Sequence, residues 1–493
     1  MQKPIVLGCV VAFLLSLGPS LAQQVAIGEY SLPTTDSFPY AITAGPDGAL
    51  WFAANAYIGR ISTAGSITQY PQEGEPKQIV FGSDGGLWFT LSSGNRIGHM
   101  TRDGNLIATY PVLSRDSYPW GLTFGPDGAL WFTEYQSHTG NKIGRMTTEG
   151  VCSEYPIAEA NAGPTGITAG PDGALWFTEY AGDIGRVTIA GVISYYSVPT
   201  ANSQPSWITI GPDGALWFTE SGGNKIGRIT TAGAITEFPV LTAASQPTGL
   251  TVGPDGALWF TEAGANQIGR ITTAGTVTEY AMPAAGSRPL LITAGSDGAL
   301  WFTDPSGNNI GEAVLVTAGL SVTPTNGFFH AGLVFTGSGY APGENVQIYA
   351  EGVGSAVLAG ATVDSTGAFT ATGQAPQSPY GPRMFLGTGQ SSGKLGAASF
   401  SVTPRLIVDP NSGTPGSTTA VSGYGYAPFE TVDVYWDNPV FFLGTAPADV
   451  QGSFRASAAL TITVPDQAVP GVDVVSGAGQ KSGAKGGGHF TVE

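Results

Sequence analysis

The sequence predicts an all-β chain: a seven-bladed β-propeller closed by its N-terminal strand, followed by two immunoglobulin-like β-sandwiches. Three observations predict it. The tetrapeptide Gly-Ala-Leu-Trp, or a close variant, ends in Trp51, Trp88, Trp131, Trp176, Trp217, Trp259 and Trp301, spaced 37 to 45 residues apart. A repeat of this period marks an array in which each small unit buries one apolar face against its neighbour. Each unit holds four short runs rich in β-branched and aromatic residues, bounded by Gly, Pro, Asp or Ser, with no helical period. After the seventh unit a second self-similarity begins. Four antiparallel strands per unit and no helices favour a propeller over a solenoid.

The elements follow in chain order. Residues 1–22 carry Met-Gln-Lys, an apolar run from Ile5 to Leu17 and Ser20-Leu-Ala22, which predicts a signal peptide cleaved before Gln23. The expected location is secreted, periplasmic or cell-surface. Residues 23–316 form the propeller. In each blade the turn between the first two strands, A and B, is typically Gly-Pro-Asp-Gly, where Pro pre-sets the backbone and Gly supplies a positive φ. The fourth-strand motif, as in Ile235-Thr-Glu-Phe-Pro239, is missing after Trp301 but occurs as Ile27-Gly-Glu-Tyr-Ser-Leu-Pro33 ahead of the first A strand. The N-terminal segment is therefore expected to complete blade seven and leave no open edge. Residues 317–403 and 404–493 form two tandem modules, each about the size of one sandwich. Thr336 to Tyr349 matches Val421 to Tyr435, and Ser399-Phe-Ser-Val402 matches His489-Phe-Thr-Val492. They read equally as a spacer stalk or as adhesive units. Gly483 to Gly488 reads as a mobile hairpin loop.

Composition narrows the partners. With 19 Lys+Arg against 36 Asp+Glu and a net charge of −17, electrostatics oppose binding of nucleic acid or anionic membranes. No segment of the mature chain is apolar enough to span a membrane. Cys152 is the only cysteine left after cleavage, so stability must come from the core. The expected partner is a small molecule, a peptide or a cell-surface glycan, bound by a monomer.

The starts of the A strands and the loops after strand B surround one mouth of the central channel. The residues after each A-strand proline are Tyr40, Lys77, Trp120, Thr165, Ser206, Thr248 and Leu290, with Trp207 next to Ser206. Their diversity within a regular repeat is what a ligand lining would show; a position without a packing constraint would vary in the same way. Tyr40, Lys77, Trp120, Ser206, Trp207, Thr248 and Leu290 are the candidate ligand-binding set. A second ring, Glu134, Glu179, Glu220, Glu262 and Asp304, ends strand B, and cross-strand pairing with Arg145, Arg186, Arg228 and Arg270 is expected to explain it. In blade seven the Arg is replaced by Glu312. Asp304 and Glu312 are thus the candidate site for a divalent cation, Mg or Ca, although no cofactor is required by the sequence. His138, in a long loop, is a further candidate. No Ser-His-Asp or Cys-His constellation is present.

The units Gly-Pro-Asp-Gly-Ala-Leu-Trp-Phe-Thr-Glu, Ile-Gly-Arg-Ile-Thr-Thr-Ala-Gly and Ile-Thr-Glu-Tyr-Pro closely resemble the repeats of the streptogramin B lyase (virginiamycin B lyase) family, over roughly residues 25–315. The resemblance implies a seven-bladed propeller that opens a cyclic depsipeptide by Mg-dependent elimination at its ester bond. In that reaction a general base removes the proton α to the ester carbonyl while the cation stabilises the developing enolate. The family places a His after the A-strand proline in blades six and seven, where this chain has Thr248 and Leu290. Its metal-binding Glu before the blade-seven proline corresponds to Arg288, and its second metal Glu falls at Asp304 or Pro305. The resemblance therefore carries the fold and not the catalytic set. The leading expectation is a non-catalytic propeller that binds a ligand or surface partner at the channel mouth. The alternatives are an enzyme, either a Mg-dependent carbon–oxygen lyase of the family type or a lyase or hydrolase with relocated groups built on Asp304, Glu312 and His138 with a divalent ion, and a structural or adhesive envelope protein.

Overall fold

The computed structural model describes residues 14–15, 24–135, 141–350, 357–376, 381–427, 429–437, 440–449, 452–455, 459–468, 470–480 and 482–493. The chain divides into two compact units, one built on residues 31–63 and 67–314, the other on 315–493 with 24–30 and 64–66. Most of the expected signal peptide lies outside the described residues. Leu14 and Leu15 pair with Ile27 and Ala26.

The propeller has the predicted architecture. Six four-stranded antiparallel sheets run in sequence order from A, innermost, to D. In blade four these strands are Pro164–Ala169, Leu175–Glu179, Asp183–Val187 and Ile193–Ser197. The seventh sheet combines Ile292–Ala294, Leu300–Asp304 and Asn309–Val316 with the N-terminal strand Gln24–Ser31 as its fourth strand, and Leu14–Leu15 lies beyond it. The A strands of successive blades touch around the whole ring, with blade seven against blade one. That last contact is reinforced where Thr303 Oγ1 donates to Tyr40 O at 2.7 Å, while Leu32 N, donating to Asn308 O at 2.9 Å, fastens the N-terminal segment to blade seven.

In six blades the hairpin turn anchors the Trp that names the repeat; in blade two Trp88 Nε1 is buried without a partner, and the turn residue Asp84 meets His99 instead. In blade three Asp127 Oδ1 accepts the indole Nε1–H of Trp131 at 3.0 Å, and Asp127 Oδ2 accepts Arg145 Nε–H at 2.7 Å. The guanidinium lies 5.9 Å from the Trp131 ring centre, and Tyr155 of strand D stacks on that ring at 5.6 Å. Blades one, four, five and six repeat this with Asp47, Asp172, Asp213 and Asp255. The expected pairing of the strand-B glutamates with these arginines is thereby corrected. Register sets Arg145 opposite Trp131 and Glu134 opposite Lys142, so Glu and Arg stand about 10 Å apart along the sheet. All seven repeat tryptophans are fully buried.

A second device ties blade to blade. An Asn with positive φ precedes strand C, and its side-chain amide bridges the loop that enters the next blade. Asn224 Nδ2 donates to Thr242 O at 2.9 Å, while Asn224 Oδ1 accepts Ser245 N–H at 2.7 Å and the Ser245 hydroxyl at 3.0 Å. Asn95 and Asn308 make equivalent contacts with Ser117 and Ser37. In blade four the position is Gly182, and the Oγ of Ser203 in the following loop is buried without a partner.

In the C-terminal unit the first module is one strongly curled sheet. Its order is Val357–Thr362, Asn345–Ala350, Gly381–Gly389, Leu395–Val402, Ala318–Thr323, Gly332–Ser338, Phe369–Gln374. Ala318–Thr323 joins its two halves, parallel to one neighbour and antiparallel to the other. Phe335, Phe385 and Phe400 fill the interior. The second module is a sandwich of two sheets around Trp436, Tyr426, Phe454 and Phe490. The matched Tyr-Ala-Pro segments do the same work in both: Glu344 and Glu430 each clamp the backbone N–H and hydroxyl of a distant serine, Ser392 and Ser482. The glycines read as a mobile loop are largely strand. Lys485–Val492 pairs with Gly471–Gly479 along its length. A Cβ on Gly486 or Gly488 would come within 2.8 Å of the backbone of Pro404 or Leu406, so glycine is needed there for close packing.

Asn224→Ala removes three hydrogen bonds and strands a buried Ser245. It is expected to cost about 1–3 kcal/mol, read as a lower denaturant midpoint at unchanged slope.

Candidate functional site

The channel mouth is set by backbone before it is set by side chains. In blades one, two, three, five and six the residue before the A-strand proline has a left-handed φ: Phe38, Glu75, Tyr118, Gln204 and Gln246. In blades two, three, five, six and seven the threonine of Trp-Phe-Thr then ties its A strand to the next. Thr133 Oγ1 accepts Gly121 N–H at 2.8 Å in its own blade and donates to Thr165 O at 2.7 Å in blade four. Thr219, Thr261 and Thr303 donate likewise to the carbonyls of Thr248, Leu290 and Tyr40 at 2.7, 2.6 and 2.7 Å. The mouth residues are thus held through their main chain.

Part of the predicted lining comes together. The Tyr40 and Trp120 rings meet edge-on at 5.0 Å, and Lys77 Nζ sits 5.4 Å from the Tyr40 centre and 5.8 Å from that of Trp120. The ammonium is thereby attracted by two ring faces. Burial pushes the Lys77 pKa down, opposed by the carboxylate of Glu75. Tyr40, Trp207 and Leu290 pack on one apolar cluster with Ala41, Ile79 and Leu291. Ser206 shares a 2.9 Å hydrogen bond with Thr219, and the Thr248 hydroxyl donates to Gln246 O at 3.0 Å, so both are engaged locally. Exposed Phe38, Tyr118, Tyr135 and Tyr180 were not among the predicted residues. Phe38 and Tyr118 precede A-strand prolines, and Tyr135 and Tyr180 follow strand B. Tyr135 lies 5.3 Å from Trp120. Their positions flank the varied ring in sequence, which is the signal that would have found them.

The predicted metal pair does not form. Register places Glu312 opposite Trp301 and Asp304 opposite Asn309, three pairs away, roughly 10 Å along the strand. Two ligands of one ion cannot be so far apart. Glu312 lies at the Arg position of the turn clasp, and Asp304 Oδ1 accepts the N–H groups of Arg288 and Gly307 at 2.9 and 3.0 Å. His138 lies outside the described residues. His99 belongs to the scaffold: it stacks on Trp88 at 3.9 Å, with Nε2 3.0 Å from Asp84.

The glutamate ring is buried, which favours its protonated form. Glu134, Glu179, Glu220 and Glu262 are fully buried, and none of their carboxylate oxygens has a hydrogen-bond partner. Burial, with a neighbouring carboxylate second, pushes each up to about 8.

The profile described as the Virginiamycin B lyase family matches residues 20–139 and 72–319. This chain belongs to the virginiamycin B lyase family. Among solved structures it is similar to one titled streptogramin B lyase, at 39% identity over 59% of this chain and 98% of that one, TM-score 0.56. Virginiamycin B lyase from Staphylococcus aureus also matches at 39% identity and TM-score 0.56, over 59% of this chain and all of that one. So does a catalytically inactive histidine-to-alanine variant of that enzyme with quinupristin, at 40% identity, the same coverage and TM-score 0.56. The Mg site the family implies does not fit the residues here. Arg288 is an exposed cation, and the carboxylate of Asp304 is buried and already accepts two backbone N–H groups.

Stability should depend on pH with a definite sign. The ring glutamates are near 8 in the folded chain against an ordinary 4.5, so the folded state holds more protons between those values and stability falls as pH rises through them. For the turn aspartates burial acts upward, but the indole and guanidinium hydrogen bonds win and hold them below the usual range. Their contribution is lost only as pH falls further, through those lowered values. Thermal midpoints should therefore peak at mildly acidic pH and decline toward about pH 9. Glu220→Gln and Glu262→Gln should each flatten the alkaline decline.

Proposed function

We propose that this chain is an exported, monomeric, non-catalytic member of its family that binds a ligand at the channel mouth. One observation carries the reading: Tyr40, Lys77 and Trp120 form a single aromatic and cationic cluster at the mouth, while Thr248 and Leu290 stand where the family resemblance requires bases. A hydroxyl bonded to Gln246 O and a half-buried alkyl group cannot abstract a proton at carbon near neutral pH. The ligand that suits the cluster has aromatic or apolar faces and a carbonyl or anionic group for the Lys77 ammonium, which describes a peptide or depsipeptide better than a glycan. The leader at 1–22 supports export. The C-terminal modules then act as spacers or as adhesive units.

A second reading has one observation in its favour. Lys77 is an amine made less basic by burial at the mouth, as a relocated general base would need to be.

Quinupristin tests both. Incubated with the mature chain and Mg²⁺, it should return unopened by mass, and its addition should change the fluorescence of half-buried Trp120 and Trp207. Trp120→Ala and Tyr40→Ala should weaken that response by roughly tenfold or more. A linearised product would overturn the non-catalytic reading, and its loss in Lys77→Met would identify the base.

A further inference from the structure

Blade four differs from its neighbours at the outer side of the buried glutamate, and the difference reverses the local charge. In blade five Lys225 Nζ reaches Glu237 at 2.8 Å and the Thr200 hydroxyl, and Glu237 also accepts Thr200 N–H at 3.0 Å. The ammonium lies close enough to buried Glu220 to oppose the upward pull of burial on its carboxyl. Blade three builds the same set from Lys142, Glu154 and Ser114, beside Glu134.

Register identifies the counterparts in blade four. Gly185 pairs with Tyr195 as Gly227 pairs with Glu237, and the carbonyl of Gly182 accepts Val198 N–H as that of Asn224 accepts Val240 N–H. Asp183 therefore replaces the lysine, Tyr195 replaces the strand-D glutamate, and Glu159 replaces the threonine. The charges at these positions cancel in blades three and five, one lysine against one glutamate, and come to two negatives in blade four. Buried Glu179 remains beside them.

The geometry assigns a divalent-cation site to Glu159, Glu179 and Asp183. One carboxylate oxygen from each lies within 4.8 Å of the other two. Ligands on one Ca²⁺, at about 2.3–2.6 Å from the ion, are separated by no more than about 5 Å, so all three fit around a single ion. Glu179 points into the cluster from the interior, fully buried and with neither oxygen hydrogen-bonded. Glu159 is exposed and Asp183 half-buried, which leaves a route from solvent and room for water ligands. Tyr195 closes the far side: its hydroxyl oxygen accepts Ala158 N–H at 3.1 Å, and the three carboxylates all act on it electrostatically. The ion would replace, with double the charge, the ammonium that blades three and five carry on lysine. Glu179 stands opposite the A-strand Pro164, at the mouth end of its blade, but none of the three carboxylates belongs to the cluster of Tyr40, Lys77 and Trp120, so the assignment does not rest on the proposed ligand binding.

Calorimetric titration of the chelator-treated mature chain with Ca²⁺ alone is expected to show one site, with Kd in the range of roughly 10⁻⁵ to 10⁻³ M. Excess Ca²⁺ should raise the thermal midpoint above that in EDTA. Asp183→Asn and Glu159→Gln, the latter at an exposed side chain that folding does not need, should each weaken binding by roughly tenfold or more. The triple change Glu159→Thr, Asp183→Lys, Tyr195→Glu rebuilds the blade-five set and should fold with a midpoint indifferent to Ca²⁺. The assignment is overturned if Ca²⁺, Mg²⁺ and Mn²⁺ all leave heat and midpoint unchanged, or if Glu159→Gln and Asp183→Asn bind as the parent does.

Discussion

The propeller depends on one arrangement repeated with small variations: a turn aspartate that accepts an indole N–H with one oxygen and a guanidinium N–H with the other. The indole is wholly buried, so without that acceptor its N–H would be a costly orphan in the core. The same aspartate fixes the Gly-Pro-Asp-Gly turn by accepting the backbone N–H two residues on, as Asp127 does from Ala129. Turn, core and outer strand are thereby set by a single carboxylate. The aromatic residue of strand D packs against the Trp on one side and the C–D turn of the next blade on the other. A Cβ on Gly191, for example, would fall within 2.0 Å of the Tyr155 ring. Glycine there is a requirement of blade packing, and it explains why Thr-Ala-Gly recurs.

Much of this was legible in the sequence because scaffold demands repeat. Seven tryptophans, the recurring turn and the displaced fourth-strand motif at Ile27 to Pro33 determine blade number, strand order and ring closure. What could not be read was which side of a hairpin each charge occupies. Glu134 and Arg145 look like partners when strands B and C are written out, yet the hairpin register sends the arginine to the turn end and the glutamate to the mouth end. The blade-seven pair failed for the same reason, since Asp304 and Glu312 lie on adjacent strands but not at adjacent rungs. The mouth was partly legible. Tyr40, Lys77 and Trp120 meet because consecutive blades bring them there, whereas Ser206 and Thr248 spend their hydroxyls on neighbouring protein groups.

Internal repetition also supplies a comparison that no single site could. Seven near-copies of one environment show which residues answer to geometry and which do not. Lys142 and Lys225 define an ordinary state for the outer pocket, and Asp183 stands out only against them. His99 is explained the same way: it occupies the arginine position of blade two and replaces a guanidinium over the ring with a stacked imidazole.

In five blades the threonine after Trp-Phe holds the next A strand by a carbonyl oxygen, a group that every residue type offers. Tyr40, Thr165, Thr248 and Leu290 can all be seated by the same bond although they share no chemistry. Recognition and architecture are therefore decoupled at the mouth. A lineage carrying this ring can exchange the groups that meet a ligand, or abandon a reaction altogether, without reopening the problem of how the ring stays closed.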